Sequence, residues 1–152
     1  MGISRKPSPL VRGIKTVAVC ALALAALGSA TNARAVTRSV SNRNDSGPGS
    51  LRQAIADATA GDTITFGVTG KITLTSGALT IDKDLNIQGP GPNKLKISGN
   101  HASRVFVVQG TATRSVTVTL AGMTITGGRA DANSPILASI GGGVLVYRFN
   151  KT

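Results

Sequence analysis

From Asp62 onward the apolar residues fall into very short runs of period two, broken every six to ten positions by turn-forming residues. The runs are Ile64-Thr65-Phe66, Ile72-Thr73-Leu74, Leu79-Thr80-Ile81, Leu85-Asn86-Ile87, Leu95-Lys96-Ile97, Val105-Phe106-Val107-Val108, Val116-Thr117-Val118, Met123-Thr124-Ile125 and the wholly apolar Val144-Leu145-Val146. Alternation of this kind puts apolar side chains on one face of a strand and polar ones on the other. Between the runs lie Thr69-Gly70, Ser76-Gly77, Asp82-Lys83-Asp84, Gly89-Pro90-Gly91-Pro92, Ser98-Gly99-Asn100 and Gly127-Gly128.

Many short strands can build a sandwich or a solenoid. Three features favour the solenoid. The runs are shorter than the five or six residues usual in sheets. The pattern x-Ile-x-Gly recurs at Asn86-Ile87-Gln88-Gly89, Lys96-Ile97-Ser98-Gly99 and Thr124-Ile125-Thr126-Gly127. No Asn-Gly or Asp-Gly pair joins neighbouring runs, as a two-residue hairpin often requires. The expectation is an all-β parallel β-helix, in which each coil adds one strand to each of several parallel sheets about 4.8 Å apart. Thr65, Thr73, Thr80, Thr117 and Thr124 are expected outside in ladders, with their apolar neighbours inside. Coils of roughly 20–25 residues would number three to four.

Ahead of these runs, Ser50 to Ala60 reads as a helix. Leu51, Ala54, Ile55 and Ala58 share one face. Ser50 is placed as N-cap, with Gln53 three residues on completing a capping box, and Gly61 is placed to stop the helix. A solenoid exposes a strand edge at its first coil, and this amphipathic helix is expected to cover it. Residues 36–61 are thus a strand and capping helix, 62–147 the coils, and 148–152 a tail.

The first 35 residues are different in kind. Arg5, Lys6, Arg12 and Lys15 precede the apolar run Val17 to Leu27, and Ala33-Arg34-Ala35 is a small-x-small triplet. This is the pattern of a secretory signal peptide, with cleavage expected after Ala35. The apolar run would span about 16 Å as a helix, roughly half a hydrocarbon core, so it is too short for an anchor. Val19 before Cys20 does not suit lipidation, and Ser4-Arg5-Lys6 lacks the second arginine of a twin-arginine signal. No transmembrane span is expected after residue 35.

Five of the 17 basic residues and none of the six acids lie in residues 1–35, so the remainder carries twelve bases against six acids, a net +6. Those bases are scattered, and the aromatics are only Phe66, Phe106, Tyr147 and Phe149. Nucleic-acid binding normally shows a clustered basic patch or stacking aromatics, so no nucleic-acid partner is expected. A soluble basic surface is the plain reading of the charge, with weak attraction to anionic cell-envelope polymers as the alternative, and cell-envelope components or carbohydrate are the partners considered. Cys20 is the only cysteine, so the exported part has neither disulfide nor thiol chemistry.

Gly49-Ser50-Leu51-Arg52-Gln53-Ala54-Ile55, with Ala58 and Gly61-Asp62-Thr63-Ile64-Thr65-Phe66, resembles the CSLREA-type N-terminal segment of large bacterial surface proteins. Leu79 to Gly91, Ile97-Ser98-Gly99-Asn100 and Met123-Thr124-Ile125-Thr126-Gly127 resemble the same proteins. Gly141-Gly142-Gly143-Val144 is similar to the turn that opens repeats of polymorphic outer-membrane and choice-of-anchor surface proteins. The resemblance covers roughly residues 37–146. It implies a right-handed parallel β-helix of the pectin-lyase-like type and a location outside the cell or on its surface, at the outer membrane. The motif's leading Cys is Gly49 here and its Glu is Gln53. The pattern also implies more coils after Gly143 than the chain contains, so a truncated or frameshifted product is expected.

The pectin-lyase-like fold hosts polysaccharide lyases and hydrolases, so the acids bear on the function. Hydrolysis needs two carboxylates across a groove. There is no Glu, and Asp45, Asp57 and Asp62 fall in the cap region while Asp131 lies in a loop. Asp82 and Asp84 are the only close pair. They could offer oxygen ligands to calcium, or simply flank a turn with Lys83. His101 is the lone histidine, in a polar turn. The residues favour a non-catalytic structural or adhesin-like module with no cofactor. The alternatives are the start of a polysaccharide-active enzyme whose site lies in further coils, and a fragment unable to fold.

Overall fold

The computed structural model describes residues 34–111, 113–130 and 141–148. Backbone contacts divide the chain into Met1–Thr31 and Asn32–Thr152. The expected signal segment through Ala33, Asp131 and the tail beyond Arg148 lie outside the described residues.

The described chain is mostly β, with parallel sheets and one short helix. Strand β1 (Thr37–Val40) precedes helix α1 (Leu51–Asp57). Then come β2 (Asp62–Phe66), β3 (Gly70–Thr73), β4 (Leu79–Ile81), β5 (Leu85–Gln88), β6 (Leu95–Ser98), β7 (Phe106–Gly110), β8 (Val118–Ala121), β9 (Thr124–Thr126) and β10 (Val144–Arg148). They form three sheets of order β1-β2-β5-β8, β3-β6-β9 and β4-β7-β10. Every pairing is parallel. From β2 on, the chain visits the three sheets in rotation, and from β5 on each strand pairs with the third one before it.

The offsets between paired strands are longer and less regular than the expected 20–25 residues. Asp62 faces Leu85, 23 residues on, but Leu85 faces Val118, 33 on, and Phe106 faces Val144, 38 on. The strands keep register and the loops absorb the variation. The stack also starts earlier than expected, because β1 is already a rung of the first sheet.

Register aligns the apolar residues in columns. Ile64, Ile87 and Leu120 form one, Ile72, Ile97 and Ile125 a second, Leu79, Phe106 and Val144 a third, and Ile81, Val108 and Val146 a fourth. Ile64, Ile72, Ile81, Ile87, Ile97 and Phe106 are fully buried and form the centre of the core. The outward rows are mixed. Thr65 stands beside Gln88, Thr73 beside Ser98, Thr80 beside Val107 and Thr124 beside Lys96. Thr117 precedes β8, because its N–H goes to Asp84 Oδ1 at 2.7 Å. The expected threonine ladders therefore do not form from these five residues.

One glycine of the recurring x-Ile-x-Gly pattern, Gly89, has a steric reason. Gly89 follows β5 and Gly122 follows β8, so they meet at the same corner of successive coils. A Cβ on either would land on the other's carbonyl oxygen, and Gly122 also has φ +66°. Only glycine lets the backbone turn and stack this closely.

Helix α1 ends three residues before the expected Ala60. Ala58, its C-cap, is already extended. The helix's last carbonyls are satisfied from outside instead, by Lys83 Nζ at 3.4 Å to Ile55 O and 3.1 Å to Ala58 O. Asp62 Oδ2 takes the following Thr59 N–H at 2.9 Å. Gly61 thus serves the turn into β2 and not the helix stop.

Candidate functional site

Polar side chains gather at the first strands of the three sheets. Ser50 is the N-cap, its hydroxyl accepting Gln53 N–H at 3.1 Å. The expected capping box is only half made. Gln53 turns its amide to Asp57 Oδ1 at 2.7 Å, and Ser50 N–H goes to Gly47 O at 3.1 Å. The helix is then tied to the turn before β4 by Arg52. Its guanidinium donates to Gly77 O at 2.7 Å, Ala78 O at 2.9 Å and Asp45 Oδ1 at 2.7 Å. The other Asp45 oxygen accepts Ser76 N–H at 2.7 Å and Thr75 Oγ1 at 3.1 Å. Burial pushes the Asp45 carboxyl up, but bonds from Ser76 and Arg52 outweigh it and hold it far below the usual carboxylate range. Loop 41–50 and α1 thereby cross the ends of the second and third sheets, where further strands would otherwise stand.

A second buried acid closes the first sheet. Arg38 lies in the column of Ile64, and Asp62 heads the column of Leu85 and Val118. Their side chains meet at 3.2 Å, with Asp62 fully buried. Asp62 also accepts Thr59 N–H and Val36 N–H, the latter at 2.8 Å. The Thr59 and Val36 bonds, helped by Arg38 and opposed by burial, lower its carboxyl from 3.8 to about 2.

Asp82 and Asp84 are engaged separately. Asp82 is largely exposed and faces Lys83 Nζ at 3.8 Å. Asp84 accepts Thr117 N–H on one oxygen and Arg114 Nη2 on the other at 3.0 Å, which lowers its carboxyl. A cation bound by both acids would have to displace Arg114. Among the described residues no three His, Cys, Asp or Glu side chains cluster as metal ligands would.

The best-defined cleft, about 310 Å³, lies between α1 and β4. Arg52 and Lys83 line it, but their charged ends hold carbonyl groups of the fold. Asp82 is the one carboxylate there, so the pair required for glycoside hydrolysis is not assembled in this cleft. His101 sits on the exposed turn after β6, with φ +56°, its N–H bonded to Gly127 O at 2.7 Å. The turn is held through its backbone, and among the described residues no ion pair joins the imidazole to a carboxylate.

The far end of the stack is chemically opposite. Val118, Leu120, Met123 and Ile125 are only partly buried, and Val144 and Val146 are 36% and 69% exposed. Two shallow apolar depressions share Val108, Val116 and Val146 as lining. Among the described residues no helix is long and apolar enough to cross a membrane.

Asp45, Arg52, Asp62 and Lys83 act across 24 to 31 positions of sequence. Arg52, Asp62 and Lys83 stood inside segments that carry the resemblance, but no local pattern marks what they bind, and Asp45 stood in none of them. Comparison of the chain with protein-family models, with curated proteins and with solved structures finds no match.

Proposed function

We propose that the three sheets are the faces of a right-handed parallel β-helix, and that the chain is an exported, non-catalytic module with a structural or adhesin-like role at the bacterial cell surface. The CSLREA-like segment around Ser50 and Arg52 belongs to the same reading. Export follows from the basic, apolar and small-residue succession of residues 1–35, with removal after Ala35. The observation that carries the non-catalytic role is the use of the acids. Asp45, Asp62 and Asp84 are each bound to an arginine and to backbone N–H groups, so they close the fold instead of facing a groove. The outward rows of Thr, Ser, Asn, Gln and Lys suit contact with envelope polymers or carbohydrate.

The test is expression of the full chain with a C-terminal tag in a bacterial host, followed by fractionation. A species found outside the cytoplasm and lacking residues 1–35 supports the reading. Retention in the cytoplasm with Met1 intact overturns it. Incubating the exported protein with anionic polysaccharides should give binding without unsaturated or reducing-end products, and turnover would overturn the non-catalytic role. A crystal structure with left-handed coils would overturn the fold.

A further inference from the structure

We propose that removal of the first 35 residues turns the backbone nitrogen of Val36 into an ammonium group that docks on the buried carboxylate of Asp62, making the new N-terminus a part of the fold. The proposal rests on cleavage after Ala35.

The geometry is already in place. Val36 N lies 2.8 Å from Asp62 Oδ1. The Asp62 side chain has no exposed surface. Its other oxygen is occupied by Arg38 Nε at 3.2 Å and Thr59 N at 2.9 Å. Among the described residues Val36 N is the one partner found for Oδ1. The Val36 carbonyl in turn accepts Thr63 N–H at 2.9 Å. Val36 is thus held on both sides, while Arg34 and Ala35 are exposed. Cutting the 35–36 bond removes no contact that positions Val36. It replaces a neutral amide donor by a charged one at the same distance, and a charge-assisted bond is roughly twice as strong as a neutral one. Arg38 also faces the carboxylate, but it is partly solvated and meets the opposite oxygen, so it weakens the attraction without cancelling it.

The experiment uses the full chain, exported with its own leader. Intact mass and N-terminal sequencing identify the first residue. The α-amine is then labelled by reductive methylation with carbon-13 and titrated by NMR. The expected result is a chain beginning at Val36 whose α-amine titrates about one unit or more above the ordinary 7.7–8.0. In Asp62→Asn the value should return to that range. Where that variant is not recovered folded, Arg38→Gln serves, because removing the competing cation should raise the α-amine further. A first residue other than Val36 overturns the processing site and the pairing together. A chain that begins at Val36 with an ordinary α-amine overturns the pairing and leaves the processing site standing.

Discussion

The two ends of the stack solve the same problem differently. At the first coil the columns terminate in polar groups: Arg38 and Asp62 close the first sheet, while Asp45, Arg52 and α1 close the other two. At the last described rung the same columns terminate in Val118, Leu120, Ile125, Val144 and Val146, all less buried than the residues behind them. Phe106 has no exposed surface, and its neighbour in register, Val144, is 36% exposed. An apolar column gains most where its end is covered, and among the described residues the first rung is the better covered.

The comparison predicts unequal responses to the same substitution. Leu51→Asp places a charge beneath α1 and should cost more than about 4 kcal/mol, abolishing a cooperative melt. Val146→Asp at the open end should shift stability by no more than about 0.5 kcal/mol and reduce binding of an apolar dye. Equal losses at the two ends would break the comparison. Midway between them, Gly89→Ala forces a methyl group onto the Gly122 carbonyl and should cost about 2–4 kcal/mol in a denaturant melt. Asp45→Ala leaves Arg52 and Ser76 N–H short of a partner and should cost about 1–3 kcal/mol, with no counterpart at the far end.

Acid should loosen the capped end first. Asp45 and Asp62, both in the cap, have carboxyls lowered in the folded chain, and so does Asp84, which lies outside the cap and holds Thr117 and Arg114. The stability each adds is complete above the ordinary value near 3.8 and is lost as the pH falls through the folded value, about 2 for Asp62. Melting temperatures should therefore fall between pH 4 and pH 2, less steeply in Asp62→Asn. A flat profile would remove the acids from the cap. A similarly small effect concerns Lys71 and Lys96, which stand directly opposite each other in register on an exposed row. Lys96→Thr should stabilise by roughly 0.2–1 kcal/mol, and the gain should shrink in high salt.

Much of this architecture was readable because its signals are local. Alternation located nearly every strand, and Ser50 marked the start of the helix. The parallel pairing was inferred from strand length and the glycine spacing, and Gly89 against Gly122 gives one glycine of that spacing a steric reason. What could not be read is carried by distant partners. Lys83 looked like a turn residue and instead ends α1. Asp84 looked like a partner of Asp82 and instead holds Thr117 and Arg114. The threonine rows failed for a related reason: alternation fixes the face a residue occupies, but the neighbour in the next coil depends on loop length, and the loops here differ by up to 15 residues between the 23- and 38-residue offsets.

The cap also bears on the order in which the molecule can assemble. Its components, residues 36–62 with Gly77, Ala78 and Lys83, come early in the described chain, and each later rung needs only the one before it. A polypeptide emerging N-terminus first can close this end before the last strands exist, and then lengthen by adding strands to a finished template. Partners 23 to 38 positions apart in parallel sheets make the first pairing slow, but growth then proceeds one nearest-neighbour interface at a time. The strands that can be closed first and those that are added last therefore sit at the two ends of the same sheets.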